Sequence, residues 1–463
     1  MYLETLLHSA RERAVRALVI GAGEYGFSFV AQSRRTPGLT VSAIHARRAE
    51  RGVAAFKHAG LSDEAIAICD NLAKAKAALE AGKVVVSSDA LMLIQLPIDI
   101  VVESTGAPEA AAVHADAALR NGKHVAMVSK EPDSVVGPLF HSKAKAAGLV
   151  YTPVDGDQPS LLMQLVVWAR VLGLEILCAG KTSEYDFVYD PAAKRVTSLD
   201  RVADGAAVDA LWDFGARDVR SVLRARAEAL TAIPQHTVPD LVEMGLVANA
   251  TGLAPDVSEF HAAIARTPEI ADVLVPIEMG GILHGTGRVD VVNSLRRPDE
   301  ASFAGGVFVV VRCEDKKTWE VLRAKGHVVS RSGDAAMIYR PSHLLGVESA
   351  TTVLSAVLHG RSSGPDDMQP RFDVIGKTNK PLKAGTILEA TGHHHQIDGV
   401  DGLLVPARAA TGGNAIPFYL MAGNRLLRDV PACTVIAAEM VEPPKESLLW
   451  TLRRQLEETF GLS

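Results

Sequence analysis

A glycine-rich turn near the N-terminus constrains the fold of this chain more than any other feature. Residues 17–20 form an apolar run that predicts a strand, and Gly21, Gly23 and Gly26 follow with the spacing GxGxxG, before apolar residues at helical intervals. In such a unit the first glycine permits a sharp turn, the second lets a pyrophosphate approach the backbone, and the third lets helix and strand pack closely. The motif predicts a dinucleotide site, and an ordinary tight turn is the alternative.

Two arginines indicate which dinucleotide binds. A second strand is predicted at residues 39–44, and Arg47 and Arg48 stand where an NAD-specific protein usually places an acid for the ribose 2′-hydroxyl. A guanidinium binds a 2′-phosphate through charge-assisted hydrogen bonds. The pattern favours NADP over NAD, unless both arginines only begin a surface helix. Glu24 and Tyr25, inside the glycine motif, are further candidates for cofactor contacts.

Polar residues follow two more predicted strands, at residues 98–103 and 123–128. Ligands of an open parallel sheet lie outside the carboxyl ends of its strands. We therefore expect the following residues at that edge: Ser104, Thr105 and Gly106 in the cofactor site, Lys130 in the cofactor site or as a catalytic group, and Glu131 in the substrate site.

The loop after the next predicted strand, residues 149–151, faces the same edge. It contains two carboxylates, Asp155 and Asp157, which are candidates to orient substrate hydroxyls or hold a metal. Gln158 and Ser160 are candidate substrate ligands.

Lys181 follows a strand predicted at residues 174–179, and we expect it to meet the nicotinamide from the substrate side. A lysine can polarise a carbonyl and donate a proton, and burial would lower its pKa towards the working range. Lys181 and Lys130 are therefore the candidate proton donors. Glu243 lies in an apolar helix predicted at residues 239–250, where a buried carboxylate needs a partner. Lys181 is one candidate partner and a loop amide is the alternative.

Several segments resemble a known family. The segment at residues 123–130 and the strand end at residues 103–106 are similar to those of homoserine dehydrogenases. Nearly the whole chain resembles the homoserine-dehydrogenase-like proteins with a C-terminal antifreeze-like (SAF) domain, a group that includes deoxyxylulose-phosphate-reductoisomerase-like enzymes. The segments that carry this resemblance are TPGL at 36–39, GDQPSLL at 156–162, ANATGL at 248–253 and MGGILHGTGRVDVVNSL at 279–295.

The resemblance and the local patterns together imply an α/β chain of three domains. We expect a Rossmann domain with a parallel sheet at residues 1–155 and 341–361, an α+β substrate and dimerisation domain at 156–340, and a small β-clip domain of SAF type at 372–463. The chain departs from the reductoisomerase-like members between Lys181 and Asp240. Within this region, residues 182–230 predict a loop followed by a helix, a candidate substrate lid.

Two weakly similar segments, residues 381–388 and 429–436, predict paired hairpins in the C-terminal domain. The three histidines at 393–395 fall between them. Successive side chains of a strand point in opposite directions, so all three cannot bind one metal. A plain polar loop is the alternative to a ligand role, and no metal ligand is assigned.

The composition indicates which kinds of partner the chain binds. The net charge is −6 in 463 residues, which gives no general attraction to nucleic acid or to an acidic membrane surface. The four cysteines form no CxxC pair, and neither a signal-peptide core nor an apolar run of about 18 residues occurs. We expect a cytoplasmic protein that binds a small molecule and forms a homodimer or homotetramer.

Three hypotheses of function follow. The first is an NAD(P)-dependent oxidoreductase that interconverts an alcohol and a carbonyl on a small polar metabolite. The second is an NADPH-dependent reductoisomerase, in which a divalent metal clamps adjacent oxygens. The third is a non-catalytic nucleotide-binding protein, against which lysines at two strand ends argue.

Overall fold

The computed structural model describes residues 2–392 and 395–463. His393 and His394 lie outside the described residues, so of the three histidines only His395 can be followed. The fold is α/β, as predicted, and it divides into two compact units. The first, called the nucleotide-binding unit because it contains the glycine motif, comprises residues 1–160, 344–400 and 407–463. The second, called the catalytic unit because it contains the candidate proton donor Lys181, comprises residues 161–343 and 401–406.

The nucleotide-binding unit contains a parallel sheet of seven strands in the order β3-β4-β2-β1-β5-β6-β7. Its central strands are runs of apolar and β-branched residues, as expected where helices cover both faces. The strand order reverses between β1 and β5. The strands are β1 (Val15–Ile20), β2 (Leu39–His45), β3 (Ile66–Ile68), β4 (Val84–Ser87), β5 (Ile100–Glu103), β6 (His124–Met127) and β7 (Tyr151–Pro153).

Helices connect these strands, and one of them begins earlier than expected. The sequence predicts a helix from residue 136, but α7 starts at Lys130. Pro132 lies in the first turn of α7, where proline is tolerated because the N–H groups lack intrahelical acceptors. The helices of this region are α1 (Tyr2–Glu12), α2 (Glu24–Ser33), α3 (Ala49–His58), α4 (Leu72–Glu80), α5 (Ala90–Ile94), α6 (Pro108–Arg120) and α7 (Lys130–Ala146).

The catalytic unit begins within helix α8 (Gln158–Val171) and is built on a mixed sheet of nine strands. The path is β11-β10-β9-β14-β8-β15-β16, and β12 and β13 both pair with β14. The strands are β8 (Ile176–Thr182), β9 (Phe187–Asp190), β10 (Arg195–Ser198), β11 (Arg201–Asp204), β12 (Ala254–Pro255), β13 (Ala263–Ala265), β14 (Arg288–Arg296), β15 (Val307–Arg312) and β16 (Ala335–Arg340). The helices are α9 (Val219–Ala229), α10 (Val238–Thr251), α11 (Ile270–Val273) and α12 (Lys316–Ala324).

The prediction of a loop after Lys181 is wrong. Three antiparallel strands, β9 to β11, occupy residues 187–204 and extend the sheet. Buried Tyr189 donates its hydroxyl hydrogen to Asp209 Oδ1 over 2.6 Å. These strands have four residues each and expose charged side chains, so their apolar alternation is too short to stand out in the sequence.

The C-terminal segment returns to the nucleotide-binding unit, apart from residues 401–406, which belong to the catalytic unit. Residues 382 and 430 exchange backbone hydrogen bonds of 2.9 and 2.8 Å, so the two similar segments pair with each other. The assignment of this segment to the SAF type, and its independent folding, stay predictions. Its elements are α13 (Ser349–His359), β17 (Phe372–Thr378), β18 (Ala390–Thr391), β19 (Gln396–Ile397), β20 (Val400–Pro406), β21 (Arg425–Leu426), β22 (Val441–Glu442) and α14 (Leu448–Phe460).

Helix α14 packs against α6 and α7, and a buried arginine holds it there. Arg453 is 1% exposed and makes a bidentate ion pair with Asp373, with distances of 2.8 and 2.7 Å. It also pairs with Glu457 at 2.7 Å and donates to the carbonyl oxygen of Val135 in α7 at 3.3 Å. Among the helices of the described residues, none is long and apolar enough to cross a bilayer.

We expect Arg453→Ala to destabilise the protein by about 3–5 kcal/mol, because it leaves two buried carboxylates without their cation. The matched control is Arg454→Ala, which changes the exposed neighbour on the same helix and should shift the free energy of unfolding by about 0.5 kcal/mol or less. Urea unfolding of both variants measures the difference. Equal urea midpoints for the two variants would contradict the stabilising role of Arg453.

Candidate functional site

The three glycines of the motif have different surroundings. Gly21 has a φ of +115°, and a Cβ there would lie 2.7 Å from the carbonyl oxygen of Ser104. A Cβ on Gly26 would overlap the carbonyl oxygen of Gly21. Gly23, the exposed residue before α2, has no atom within 4 Å of such a Cβ. Packing within the protein therefore explains the first and third glycines, and the open space at Gly23 fits a pyrophosphate.

Arg47 and Arg48 are exposed after β2, and Arg48 precedes α3. Within the described part of the chain neither guanidinium makes a hydrogen bond or an ion pair. A third arginine, which sequence reasoning missed, lies beside the turn: Arg51 donates from Nη2 to the carbonyl oxygen of Ala22 over 3.2 Å. Its guanidinium carbon is 5.1 Å from the ring centroid of Phe27. Arg51 lies one helical turn after Arg48, and this spacing could have indicated from the sequence that the two arginines share one side of α3.

A buried carboxylate fixes the loops after β5 and β6. Glu103 is fully buried and accepts hydrogen bonds from the hydroxyl groups of Thr105, at 2.6 Å, and Ser129. Ser129 Oγ in turn accepts the backbone N–H of Gly106 over 2.8 Å. His114 Nδ1 lies 3.2 Å from Glu103 Oε1. Sequence reasoning used Glu103 only as part of a resemblance, and it missed this role.

His45 adds a buried imidazole at the end of β2. Its ring centroid is 5.9 Å from that of His114, and its Nδ1 has no hydrogen-bond partner among the described residues. Burial, and secondly the neighbouring His114, lower the pKa of His45, so its neutral form is favoured at neutral pH.

Two strand ends meet as predicted. Lys130 Nζ lies 3.0 Å from Asp157 Oδ2, and Asp157 Oδ1 accepts the backbone N–H of Gln158 over 3.0 Å. Tyr25 of the glycine-led helix has a buried hydroxyl beside Ser349 of α13 and near the carboxylate of Asp157. Burial raises the pKa of Tyr25, so the phenol stays protonated. A hydroxyl donor and an ammonium thus lie at the edge where a dinucleotide binds.

Asp155 and Ser160 brace the loop. Asp155 accepts hydrogen bonds from the hydroxyl groups of Ser160, at 2.9 Å, and Thr351, at 2.6 Å. The backbone N–H of Asp155 donates to Thr352 Oγ1 over 2.7 Å. These contacts hold the loop against α13, so Asp155 has a structural role.

The catalytic unit contains a buried lysine between two carboxylates. Lys181 lies inside β8, and its Nζ is 2.8 Å from Asp240 Oδ1 and in contact with Glu243 Oε2. All three side chains are less than 10% exposed. The predicted pairing of Lys181 with Glu243 is confirmed. Asp240, one helical turn before Glu243, was missed.

The expectation of a lowered pKa for Lys181 is wrong. Burial alone favours the neutral amine, but Asp240 and Glu243 together outweigh it and raise the pKa of Lys181. The lysine is therefore a fixed ammonium, held by two charge-assisted hydrogen bonds.

A cavity of about 220 Å³ lies in the same unit. One of its lining residues, Phe303, accepts a hydrogen bond at its carbonyl oxygen from Thr182, the residue after Lys181. Arg266 also lines the cavity, and its Nε is buried without a partner among the described residues. The other polar lining residues are Thr267, Arg296, Glu300, Ser302 and Tyr339.

A second titratable cluster was not found from the sequence. The fully buried carboxylate of Asp256 lies 2.9 Å from His261 Nε2, 2.9 Å from His284 Nδ1 and 3.2 Å from Arg288 Nε. The residues on both sides of His261 have positive φ, 62° and 45°. Within residues 2–392 and 395–463, no group of three histidine, cysteine or acidic side chains is arranged to hold a metal ion.

Two family models match the chain. Residues 21–151 match the homoserine dehydrogenase NAD-binding domain, and residues 156–349 match the catalytic domain of oxidoreductase DRL. No curated protein is significantly similar in sequence.

Solved structures of nicotinamide-dependent enzymes resemble the chain only distantly. A 3-ketoreductase from Actinomadura kijaniata, in complex with NADP, is 15% identical, with a TM-score of 0.33 over 76% of this chain and 91% of that one. A 1-deoxy-D-xylulose 5-phosphate reductoisomerase from Zymomonas mobilis, in complex with NADPH, is 20% identical, with a TM-score of 0.28 over 37% and 46%. A myo-inositol dehydrogenase from Lactobacillus casei is 17% identical, with a TM-score of 0.27 over 39% and 48%.

The family models assign residues 21–151 to an NAD-binding domain and residues 156–349 to an oxidoreductase catalytic domain. The chain thus contains regions similar to both parts of an NAD(P)-binding oxidoreductase.

Proposed function

We propose that the chain is an NADP-dependent oxidoreductase that interconverts an alcohol and a carbonyl on a small polar metabolite. The observation that carries the proposal is Lys181, an ammonium buried between Asp240 and Glu243 in the unit that matches an oxidoreductase catalytic domain. Buried ion pairs often stabilise a protein no more than apolar residues of similar volume would, and groups with strongly perturbed pKa values cluster at functional sites.

A bound nicotinamide dinucleotide supplies or accepts the hydride. Gly23 leaves room for the pyrophosphate, and the N–H groups at the start of α2 bind it. Arg47 and Arg48, which have no competing partners within the described residues, bind the 2′-phosphate. Lys130, anchored by Asp157, fixes the ribose end that carries the nicotinamide.

Lys181 acts on the substrate. Its ammonium donates a hydrogen bond to the carbonyl oxygen and stabilises the negative charge that develops there during reduction. Because an alkoxide is far more basic than an amine, the proton then passes from Nζ to oxygen. The neutral amine left beside Asp240 and Glu243 regains a proton readily, since both carboxylates favour the charged form.

The second candidate is a reductoisomerase, which the resemblance of residues 156–162, 248–253 and 279–295 to reductoisomerase-like proteins favours. In that reaction a divalent cation clamps two adjacent substrate oxygens. Activity lost on chelation and restored by Mg²⁺ or Mn²⁺, together with a rearranged carbon skeleton in the product, would establish this candidate over the first.

We expect Gly23→Ala to weaken dinucleotide binding by about tenfold or more while changing the free energy of unfolding by about 1 kcal/mol or less, because only the bound pyrophosphate competes for that space. The matched variant is Gly26→Ala, which should cost about 1–3 kcal/mol of stability through overlap with Gly21. Calorimetric titration and urea unfolding separate the two effects. A Gly23→Ala protein with unchanged affinity would show that the glycines serve packing alone.

Arg47→Ala should weaken NADP binding by about ten- to a hundredfold, since a hydrogen bond to a charged group contributes about 1.5–3 kcal/mol. NAD binding should barely change, because NAD lacks the 2′-phosphate. Titration of wild type and variant with both cofactors measures this. Equal affinity of the wild type for NAD and NADP would exclude the preference.

Lys181→Met should lower the catalytic rate by about 10²–10⁴-fold and leave NADP affinity nearly intact. Lys130→Met should weaken cofactor binding as well, because Lys130 belongs to the nucleotide-binding unit. Lys181→Arg is the control for folding, since it keeps a cation between the buried carboxylates. Single-turnover rates, measured with a substrate identified by screening, test whether Lys181 is the proton donor. A Lys181→Met enzyme with an unchanged rate would show that another group donates the proton.

A further inference from the structure

One histidine brings the C-terminal segment to the carboxyl edge of the parallel sheet. His395 lies in the connection between β18 and β19, whose register pairs Thr391 with Gln396. A Cβ on Gly106 would overlap the imidazole of His395. The ring therefore rests directly on the Gly106 backbone.

The place of this contact matters because Gly106 belongs to the loop after β5. That loop adjoins the glycine motif: Ser104 is the residue that a Cβ on Gly21 would meet. The strand order reverses between β1 and β5, and dinucleotides bind at such a switch point. His395 thus lies beside the surface that the cofactor occupies.

The ring is held in a defined orientation. His395 Nδ1 is 2.8 Å from Glu131 Oε1, and this hydrogen bond raises the pKa of His395. Its Nε2 has no hydrogen-bond partner within the described residues, and the side chain is 27% exposed. The backbone of His395 has a φ of 45°, a conformation that costs energy for a residue other than glycine and that is frequent at functional sites.

We propose that His395 is a dinucleotide-binding residue supplied by the C-terminal segment, and that its Nε2 donates a hydrogen bond to an oxygen of the bound cofactor. The inference rests on the proposed function, since it needs a nicotinamide dinucleotide in the nucleotide-binding unit. Glu131 accepts the Nδ1 hydrogen and favours the charged form of the ring, in which Nε2–H remains to donate to a phosphate or carboxamide oxygen of the cofactor. The C-terminal segment then forms one wall of the cofactor site.

The test uses the full chain and calorimetric titration with NADP. We expect His395→Ala to weaken binding by about ten- to a hundredfold, as for the loss of a charge-assisted hydrogen bond. His395→Gln places an amide donor near the position of Nε2 and should recover part of the loss. The matched control is Lys380→Ala, which removes an exposed ion pair with Asp398 in the same segment and should bind as the wild type does.

Hydrogen exchange of the wild-type protein gives a second readout that needs no variant. Saturating NADP should slow amide exchange at residues 386–400, because the bound cofactor would contact this segment and restrict its opening. Unchanged affinity of a folded His395→Ala protein, tighter binding by it, or unchanged exchange at these residues would overturn the inference. If the wild type binds neither NADP nor NAD, the proposed function itself fails, and this outcome is distinct.

Discussion

Removing a carboxylate from water is costly unless cations or hydrogen-bond donors replace the lost hydration. Both units of this protein bury carboxylates and surround them with such groups. In the nucleotide-binding unit, Glu103 gathers the hydroxyl groups of Thr105 and Ser129 and so shapes the loops at the carboxyl edge of the sheet. In the catalytic unit, Asp240 and Glu243 hold Lys181 charged. In both units, the residues that satisfy buried charge therefore also fix the positions of hydrogen-bond donors.

Backbone geometry explains why much of the fold could be predicted from the sequence. Pro108 suits a first helical turn and the Asn121-Gly122 pair ends a helix, so these residues alone predict a helix over residues 108–120, the bounds of α6. The glycine motif indicates the turn after β1 for a similar reason, since no other residue tolerates the contacts of Gly21 and Gly26. Local rules failed where strands are short, as in β9 to β11.

The candidate site was only partly predictable, because most of its contacts join distant parts of the chain. Burial of Glu243 in an apolar helix pointed to a cationic partner, and Lys181 is that partner. Nothing local indicates that Asp240 shares the ammonium, and its effect reverses the expected direction of the Lys181 pKa shift. The contact of His395 with Glu131 spans 264 residues, so no spacing rule could reveal it.

The most direct test of the account is a crystal structure of the protein grown with NADP. We predict that the dinucleotide crosses the carboxyl edge of the parallel sheet, with its pyrophosphate over Gly23 and its 2′-phosphate against Arg47 and Arg48. A dinucleotide bound elsewhere, or one whose 2′-phosphate points away from both arginines into solvent, would contradict the account.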